Sequence, residues 1–293
     1  MFLSLLKKIR YNFLYYYYRY TTPDKILFEG STPFNHVKVQ QAGSKLRLIF
    51  VDKEKEYTES ERDLLDPLFL SLEYTRMTFV AFSFFSELSS IKRILMIGLG
   101  GGVYCPLIRE YLPDAVLDIV EIDEQIADLA RRYFQFEETS RVNLYIEDAR
   151  DYVKRTDRRY DLVLSDPYIL NYVPANLRTI EYYRELKGIL TENGVFSGNI
   201  PLKDRLITQE IKTIINVFSF CRLLSGVSSN NGVIVASGRP ADYFSKQELL
   251  KQARRLDKKH RFHFKQENLV KCLHDIITPI DCEALTDDRF KRP

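Results

Sequence analysis

Between Lys25 and Tyr57 apolar residues recur at every second position in three short runs, KILFEG, HVKVQQAG and KLRLIFVD. Gly-Ser-Thr-Pro and Ala-Gly-Ser separate the runs. Alternation with period two between turn residues predicts half-buried strands, here a small antiparallel meander within residues 25–65. In DPLFLSLEYTRMTFVAFSFFSEL (66–88) the apolar positions fall at helical spacing, with no Gly or Pro after Pro67. That stretch predicts one largely buried helix linking two parts of the chain.

After Lys92 the pattern changes. IKRILMIGLGGG is a continuous apolar strand entering a glycine-rich turn, CPLIREYL a helix, AVLDIVEID a strand and EQIADLARRYF a helix. VNLYIEDA and YDLVLSD read as strands three and four, TIEYYRELKGIL as a helix stopping at Asn193-Gly194, and GVFSGNI as a fifth strand. Another helix and a closing hairpin follow through ITQEIKTIINVFSFCRLL and GVIVASG. Strands alternating with helices of this length predict an α/β fold, a doubly wound and mostly parallel sheet covered on both faces. The chain thus divides into an aromatic and basic N-terminal helix (1–24), the β module (25–65) and an α/β domain (66–293).

The first 20 residues, MFLSLLKKIRYNFLYYYYRY, are apolar and basic at once. Lys7, Lys8, Arg10 and Arg19 break the apolar run, so it falls short of the roughly 20 residues that span a bilayer. The tyrosines at 15–18 supply no cleavage site for a secretory signal. The simpler expectation is a helix packing Phe2, Leu5, Leu6 and Phe13 onto the domain or onto a second subunit. A peripheral membrane contact through residues 1–20, with tyrosines and cations at an anionic interface, is the other.

Composition narrows the partners. The 43 Lys+Arg against 40 Asp+Glu give a net charge of +3, without the clustered excess that nucleic-acid binding needs. The run Lys251, Arg254, Arg255, Lys258, Lys259, His260, Arg261 reads as a solvated helix face. Cys105, Cys221, Cys272 and Cys282 lack zinc-site spacing, so no metal is expected, and reduced cysteines suit a cytoplasmic protein. Tyr 19 and Phe 19 stand beside Trp 0.

In an open α/β sheet, ligands bind beyond the carboxyl ends of the strands, so the chemistry is sought there. Gly98, Gly100, Gly101 and Gly102 follow the first strand and allow a ligand close to the backbone. Val103 breaks the G-x-G-x-x-G pattern of NAD sites. Glu121 ends the second strand at the spacing where a carboxylate accepts from a ribose diol. Asp123, ahead of EQIADL, suits a helix cap. Asp148 ends the third strand and could accept from an adenine amine or cap the helix after it. Asp166 ends the fourth, as a turn residue before Pro167 or as an acid at the site.

Together IGLGGG (97–102), VEID (120–123), EDARDYV (147–153), YDLVLSDPY (160–168), TIEYYRELKGILTENGVF (179–196), LTDD (285–288) and LEYTRM (72–77) resemble the spermidine synthase family of aminopropyltransferases. The resemblance runs from about Lys25 through nearly the whole chain. It implies a Rossmann-like fold of class I methyltransferase type with the N-terminal β module, commonly as a homodimer. It implies decarboxylated S-adenosylmethionine, or intact S-adenosylmethionine, as co-substrate and a small-molecule amine as acceptor. Glu121 with Ile122 would then hold the ribose, Asp148 with Ala149 the adenine, and Asp166 would orient and deprotonate the amine. Tyr74, Tyr168 and Tyr172 would be aromatic walls for a cationic substrate.

The chain departs from that family at specific places. Gly101 stands where the family carries a loop Asp that pairs with the aminopropyl ammonium, and Ile169 where it carries a second Asp for the diamine. Thr75 and Arg76 follow Tyr74 where the family has His and Glu, and Arg76 suits an anionic substrate or the carboxylate of intact S-adenosylmethionine, or equally a surface charge near the site. Three readings follow: aminopropyl transfer to an amine, methyl transfer from intact S-adenosylmethionine, and a catalytically silent scaffold.

Overall fold

The computed structural model describes residue 10 and residues 12–14, 16–18, 21–170, 172–276 and 282–290. Four strands, β1 (Lys25–Ser31), β2 (His36–Ala42), β3 (Lys45–Asp52) and β4 (Lys55–Asp63), form an antiparallel meander in sequence order. The apolar pattern names only three of them. KEYTESERD in β4 is charged almost throughout, and cross-strand pairs hold it in place: Lys45 with Asp63 at 3.0 Å and Arg47 with Glu61 at 2.7 Å.

The second sheet has eight strands: β5 (Arg93–Ile97), β6 (Val116–Glu121), β7 (Val142–Ile146), β8 (Tyr160–Ser165), β9 (Leu190–Pro201), β10 (Phe220–Ser225), β11 (Asn231–Ser237) and β12 (His274–Asp275). Their spatial order is β7-β6-β5-β8-β9-β11-β10-β12. The first five run parallel and the last three antiparallel, which gives the mostly parallel, doubly wound α/β fold expected. Side-chain alternation loads both faces. Ile94, Met96, Leu162 and Leu164 join one core, whereas Leu95, Ile97 and Val163 join the other.

Helices α1 (Glu73–Thr78), α2 (Cys105–Tyr111), α3 (Glu124–Phe134), α4 (Ala149–Arg155), α5 (Ile180–Ile189), α6 (Ile207–Ile215), α7 (Lys246–Lys259) and α8 (Gln266–Cys272) surround the sheet. On α3, Ile126, Leu129 and Phe134 pack against Val37, Val39, Leu46, Leu48 and Phe50 of the meander. This third core fixes the N-terminal sheet over the carboxyl ends of β5 and β6, because α3 starts just after β6.

Two helices differ from the periodicity. The expected helix over 66–88 is only α1 followed by 3-10 turns at Phe79–Phe84 and Leu88–Ser90. Phe79, Val80, Ala81 and Phe82 are buried on every side, so no outward face sets a 3.6-residue period. Three residues per turn instead place Phe79 and Phe82 together, their rings edge to face at 5.0 Å. Helix α5 stops at Ile189 rather than at Asn193, because Leu190 already pairs with Tyr160 of β8.

Residues 10, 12–14, 16–18 and 21 are helical. Phe13 is 69% exposed, so its expected packing onto the domain is not what the chain adopts; Phe2, Leu5 and Leu6 lie outside the described residues. Among the described residues no helix is long and apolar enough to cross a membrane.

Candidate active site

Strand β5 leads outward to β6 and β7, and the chain then returns to place β8 on the other side of β5. This reversal leaves a crevice beyond the carboxyl ends of β5 and β8, the usual ligand position in such sheets. A cavity occupies it, lined from the strand ends by Gly98–Gly100, Glu121–Asp123, Glu147–Ala149 and Asp166–Ile169, and roofed by Phe50, Glu59 and Ser60 of the meander. A second cavity adjoins it, sharing Glu59, Tyr74 and Tyr168, and runs on past Tyr172, Asn199 and Asp204.

The glycine turn is shaped by close approach. Gly98 has φ +87, and a Cβ there would meet the Asp166 carbonyl oxygen at 2.5 Å. Only glycine lets the end of β5 come this near the end of β8. Gly98 and Gly100 line the first cavity, whereas Gly101 and Gly102 stand behind it. The Gly101 amide donates to Ser60 Oγ at 2.9 Å, and a Cβ on Gly101 would meet Phe134 Cδ1 at 2.8 Å and Ser60 Cβ at 3.1 Å. No acidic side chain fits at 101 without displacing the meander or α3.

Glu121 has a structural part that its sequence position hides. Its Oε2 accepts from the Leu99 amide at 2.9 Å and its Oε1 from the Asp123 amide at 3.0 Å, so it braces the glycine turn against its own strand end. Burial pushes its pKa up, and those amide donors oppose the shift. Each oxygen keeps a lone pair for a ligand. Asp123 caps α3 by accepting from the Gln125 amide, as its position suggests.

Asp148 caps its helix, as expected, and also lines the first cavity. Its Oδ1 accepts from the Arg150 amide at 2.7 Å, capping α4, and its Oδ2 from Asn176 Nδ2 at 3.0 Å, while the residue lines the first cavity beside Ala149. The Arg150 guanidinium forks onto Glu185 and onto Asp287 of the LTDD segment, fixing the far end of the chain to this helix start.

Asp166 lines the first cavity and is bonded to Asn199 of the second. The parallel register sets Ser165 beside Gly198, so Asp166, just past β8, lies beside Asn199 near the end of β9. Asn199 Nδ2 donates to Asp166 Oδ1 at 2.7 Å. Burial pushes the Asp166 pKa up to about 6, and hydrogen bonds from Asn199 and Tyr74 hold it back. The Tyr74 hydroxyl also donates to the Glu59 carbonyl oxygen, 2.7 Å away. A half-buried carboxylate whose pKa is pushed up to about 6 is poised to take a proton.

Of the other expected residues, Ile122 lines the first cavity, Tyr74 and Tyr168 line both, and Tyr172 lines the second. Arg76 does not join them. Its guanidinium donates to the Leu70 and Ser71 carbonyls and lines neither cavity, so the expected substrate contact is corrected to a brace of the preceding turn. Glu59, Ser60 and Asn199 went unread in the sequence. The first two sit in the charged strand β4, and Asn199 ends an apolar run, where one buried amide beside a strand-end acid was the available signal. Among the described residues no group of three His, Cys, Asp or Glu is placed to hold a metal.

A doubly wound sheet, a cavity at its reversal point and a small antiparallel sheet above it make a class I methyltransferase-like fold with an added N-terminal module. Residues 74–255, more than half of the chain, match the spermine/spermidine synthase domain, and the chain belongs to that family. It is 35% identical over 167 residues to a polyamine aminopropyltransferase of Vibrio vulnificus, covering 56% of this chain and 55% of that one. To the polyamine aminopropyltransferase of Chromobacterium violaceum it is 32% identical over 198 residues, 67% of this chain and 75% of that one. The matched part is thus little more than half the length of the Vibrio relative. A probable spermidine synthase from Corynebacterium glutamicum superposes with TM-score 0.66 at 18% identity, over 87% of this chain and 98% of that one. Human methyltransferase-like protein 13, solved with SAH, superposes with TM-score 0.59 at 22% identity, over 64% and 91%. At these identities the superpositions speak for the fold.

Proposed function

We propose that this protein transfers the aminopropyl group of decarboxylated S-adenosylmethionine to an amine acceptor. The carrying observation is Asp166, a half-buried acid on the wall of the first cavity, tethered by Asn199 of the adjoining second cavity and with its pKa pushed up to about 6. The amine nitrogen attacks the carbon next to the sulfonium, the C–S bond breaks, and its electron pair stays on sulfur as the neutral thioether of 5′-methylthioadenosine. An amine proton passes to Asp166. The leaving thioether needs no acid, so positioning and this one base supply the catalysis and no metal is called for.

In this reading the nucleoside fills the first cavity. Glu121 with Ile122 faces the ribose, Asp148 with Ala149 the adenine, and the Gly98–Gly100 turn lies against the nucleoside. The acceptor enters through the second cavity between Tyr74, Tyr168 and Tyr172. The family's membership in polyamine aminopropyl transfer supports a small-molecule acceptor, a cytoplasmic setting and a homodimer. The exposed Phe13, Tyr16 and Tyr17 beside Arg10 support, as a lesser element, a membrane-surface contact of the N-terminal helix, which liposome sedimentation of the full chain against a chain lacking residues 1–20 tests.

One observation favours a second reading. Gly101 carries no acid to pair with an ammonium or to repel the carboxylate of intact S-adenosylmethionine, which leaves methyl transfer open. Calorimetric titration separates the two: tighter binding of the decarboxylated nucleoside supports aminopropyl transfer, tighter binding of the intact one supports methyl transfer, and no binding of either contradicts both.

A further inference from the structure

The second cavity presents three carboxylates on its lining, and they are not equivalent. Glu56 pairs with Lys38 at 3.0 Å and Asp204 with Arg178 at 3.0 Å. Glu59 has neither a hydrogen bond nor an ion pair to its carboxylate among the described residues, although it is half-buried and lines both cavities. An ionised carboxylate in such a place is costly unless something positive joins it. Two further buried oxygens lie on the same walls without a partner: Oδ1 of Asn199, a residue 4% exposed, and the Tyr168 hydroxyl.

These acceptors match an ammonium group, which has three donors and no acceptor. Asp166 lines the first cavity but not the second, so a nitrogen beside Asp166 leaves Glu59 to face the part of the acceptor that continues outward. The cations of this lining, Lys203 and Arg205, are exposed at the rim, where solvent screens them more than it does Glu59. Burial and then the nearby charge of Asp166 hold the Glu59 pKa well above the usual carboxylate range, a state that an ammonium would reverse.

Resting on the aminopropyl-transfer reading, we propose that Glu59 of β4 holds a second ammonium of the acceptor, so that this protein selects diamines with a carboxylate supplied by the N-terminal sheet. The position beyond Asp166 that could have carried such an acid is Ile169, and position 101 has no room for one. The charge lost from the two loops of the α/β sheet is thereby replaced from the sheet above it. Glu59 acts on specificity and binding, while proton removal stays with Asp166.

The test compares 1,4-diaminobutane with 1-aminobutane as acceptors for wild type and Glu59→Gln. The substitution should raise the diamine KM by roughly tenfold or more, the scale of one hydrogen bond to a charged group, and leave kcat and the monoamine KM within about twofold. Thermal melting should match wild type, since the Glu59 carboxylate bonds to no protein group. An unchanged diamine KM in the folded variant overturns the proposal. Should wild type transfer nothing to either amine, the aminopropyl reading fails first, and calorimetry of 1,4-diaminobutane on protein saturated with 5′-methylthioadenosine decides for Glu59 alone. Diamine binding that Glu59→Gln weakens upholds its role; binding equal in both proteins, or absent from wild type, overturns it.

Discussion

Asn199 and Asp166 are joined by a 2.7 Å hydrogen bond from the amide nitrogen of one to the carboxylate of the other, across the adjacent carboxyl ends of β9 and β8. The bond fixes the carboxylate's direction without giving it a full positive partner. Burial therefore prevails, and the acid titrates near 6. A base serves only when ionised, so kcat/KM should fall as pH drops through about 6. Asp166→Asn should abolish that limb and lower kcat by roughly 10²- to 10⁴-fold, with 5′-methylthioadenosine binding nearly intact by calorimetry. Wild-type turnover in the variant would remove Asp166 from the mechanism.

Besides the ligand role proposed for it, Glu121 braces the fold. Glu121→Gln can accept from only one of the Leu99 and Asp123 amides and turns an NH₂ toward the other. We expect a loss of about 1.5–3 kcal/mol in urea unfolding together with weaker nucleoside binding. Weaker binding with unchanged stability would mean that the two amide contacts carry no load in the fold.

Gly101 is closed to a side chain. Gly101→Asp, which would restore the acid of the spermidine synthase family, should lower the melting temperature and fail to raise activity, because its Cβ meets Phe134 and Ser60. Overpacking of this kind costs about 1–3 kcal/mol. A more active and equally stable Gly101→Asp protein would show that the meander yields at that point.

Glu73 accepts from the Val227, Ser228 and Ser229 amides and from the Ser228 hydroxyl, tying α1 to the β10–β11 hairpin loop whose Asn230 and Asn231 line the second cavity. Burial resists its charge, yet these donors prevail and lower its pKa to about 2. A lowered folded pKa means stability present above the usual carboxylate range and lost as pH falls from about 4.5 toward 2. In Glu73→Gln that part of the acid-unfolding curve should flatten, and the amine KM should rise as the loop loosens. An acid-unfolding curve identical to wild type would dissolve the link.

The parallel α/β arrangement and the cavity-lining strand ends were legible because β5, β6 and β8 are largely apolar runs followed or closed by a glycine or an acid. EQIADLARRYF matches α3 residue for residue, with Asp123 as its cap. Strand β4 was not legible, since cross-strand ion pairs rather than apolar alternation hold it, and Glu59 and Ser60 were hidden with it. The run 79–85 misled for the opposite reason: burial on all sides erases the amphipathic period that tells an α-helix from tighter turns. Arg76 read as a substrate contact because spacing along the chain says nothing of which way a long side chain turns, and here it turns back to Leu70 and Ser71.

The most direct test is product analysis by mass spectrometry after incubating the purified protein with decarboxylated S-adenosylmethionine and 1,4-diaminobutane. An acceptor enlarged by one aminopropyl group, formed in equal amount with 5′-methylthioadenosine and lost in Asp166→Asn, is the predicted result. A methylated product formed with S-adenosylhomocysteine from intact S-adenosylmethionine, and no aminopropyl product from the decarboxylated form, would contradict it.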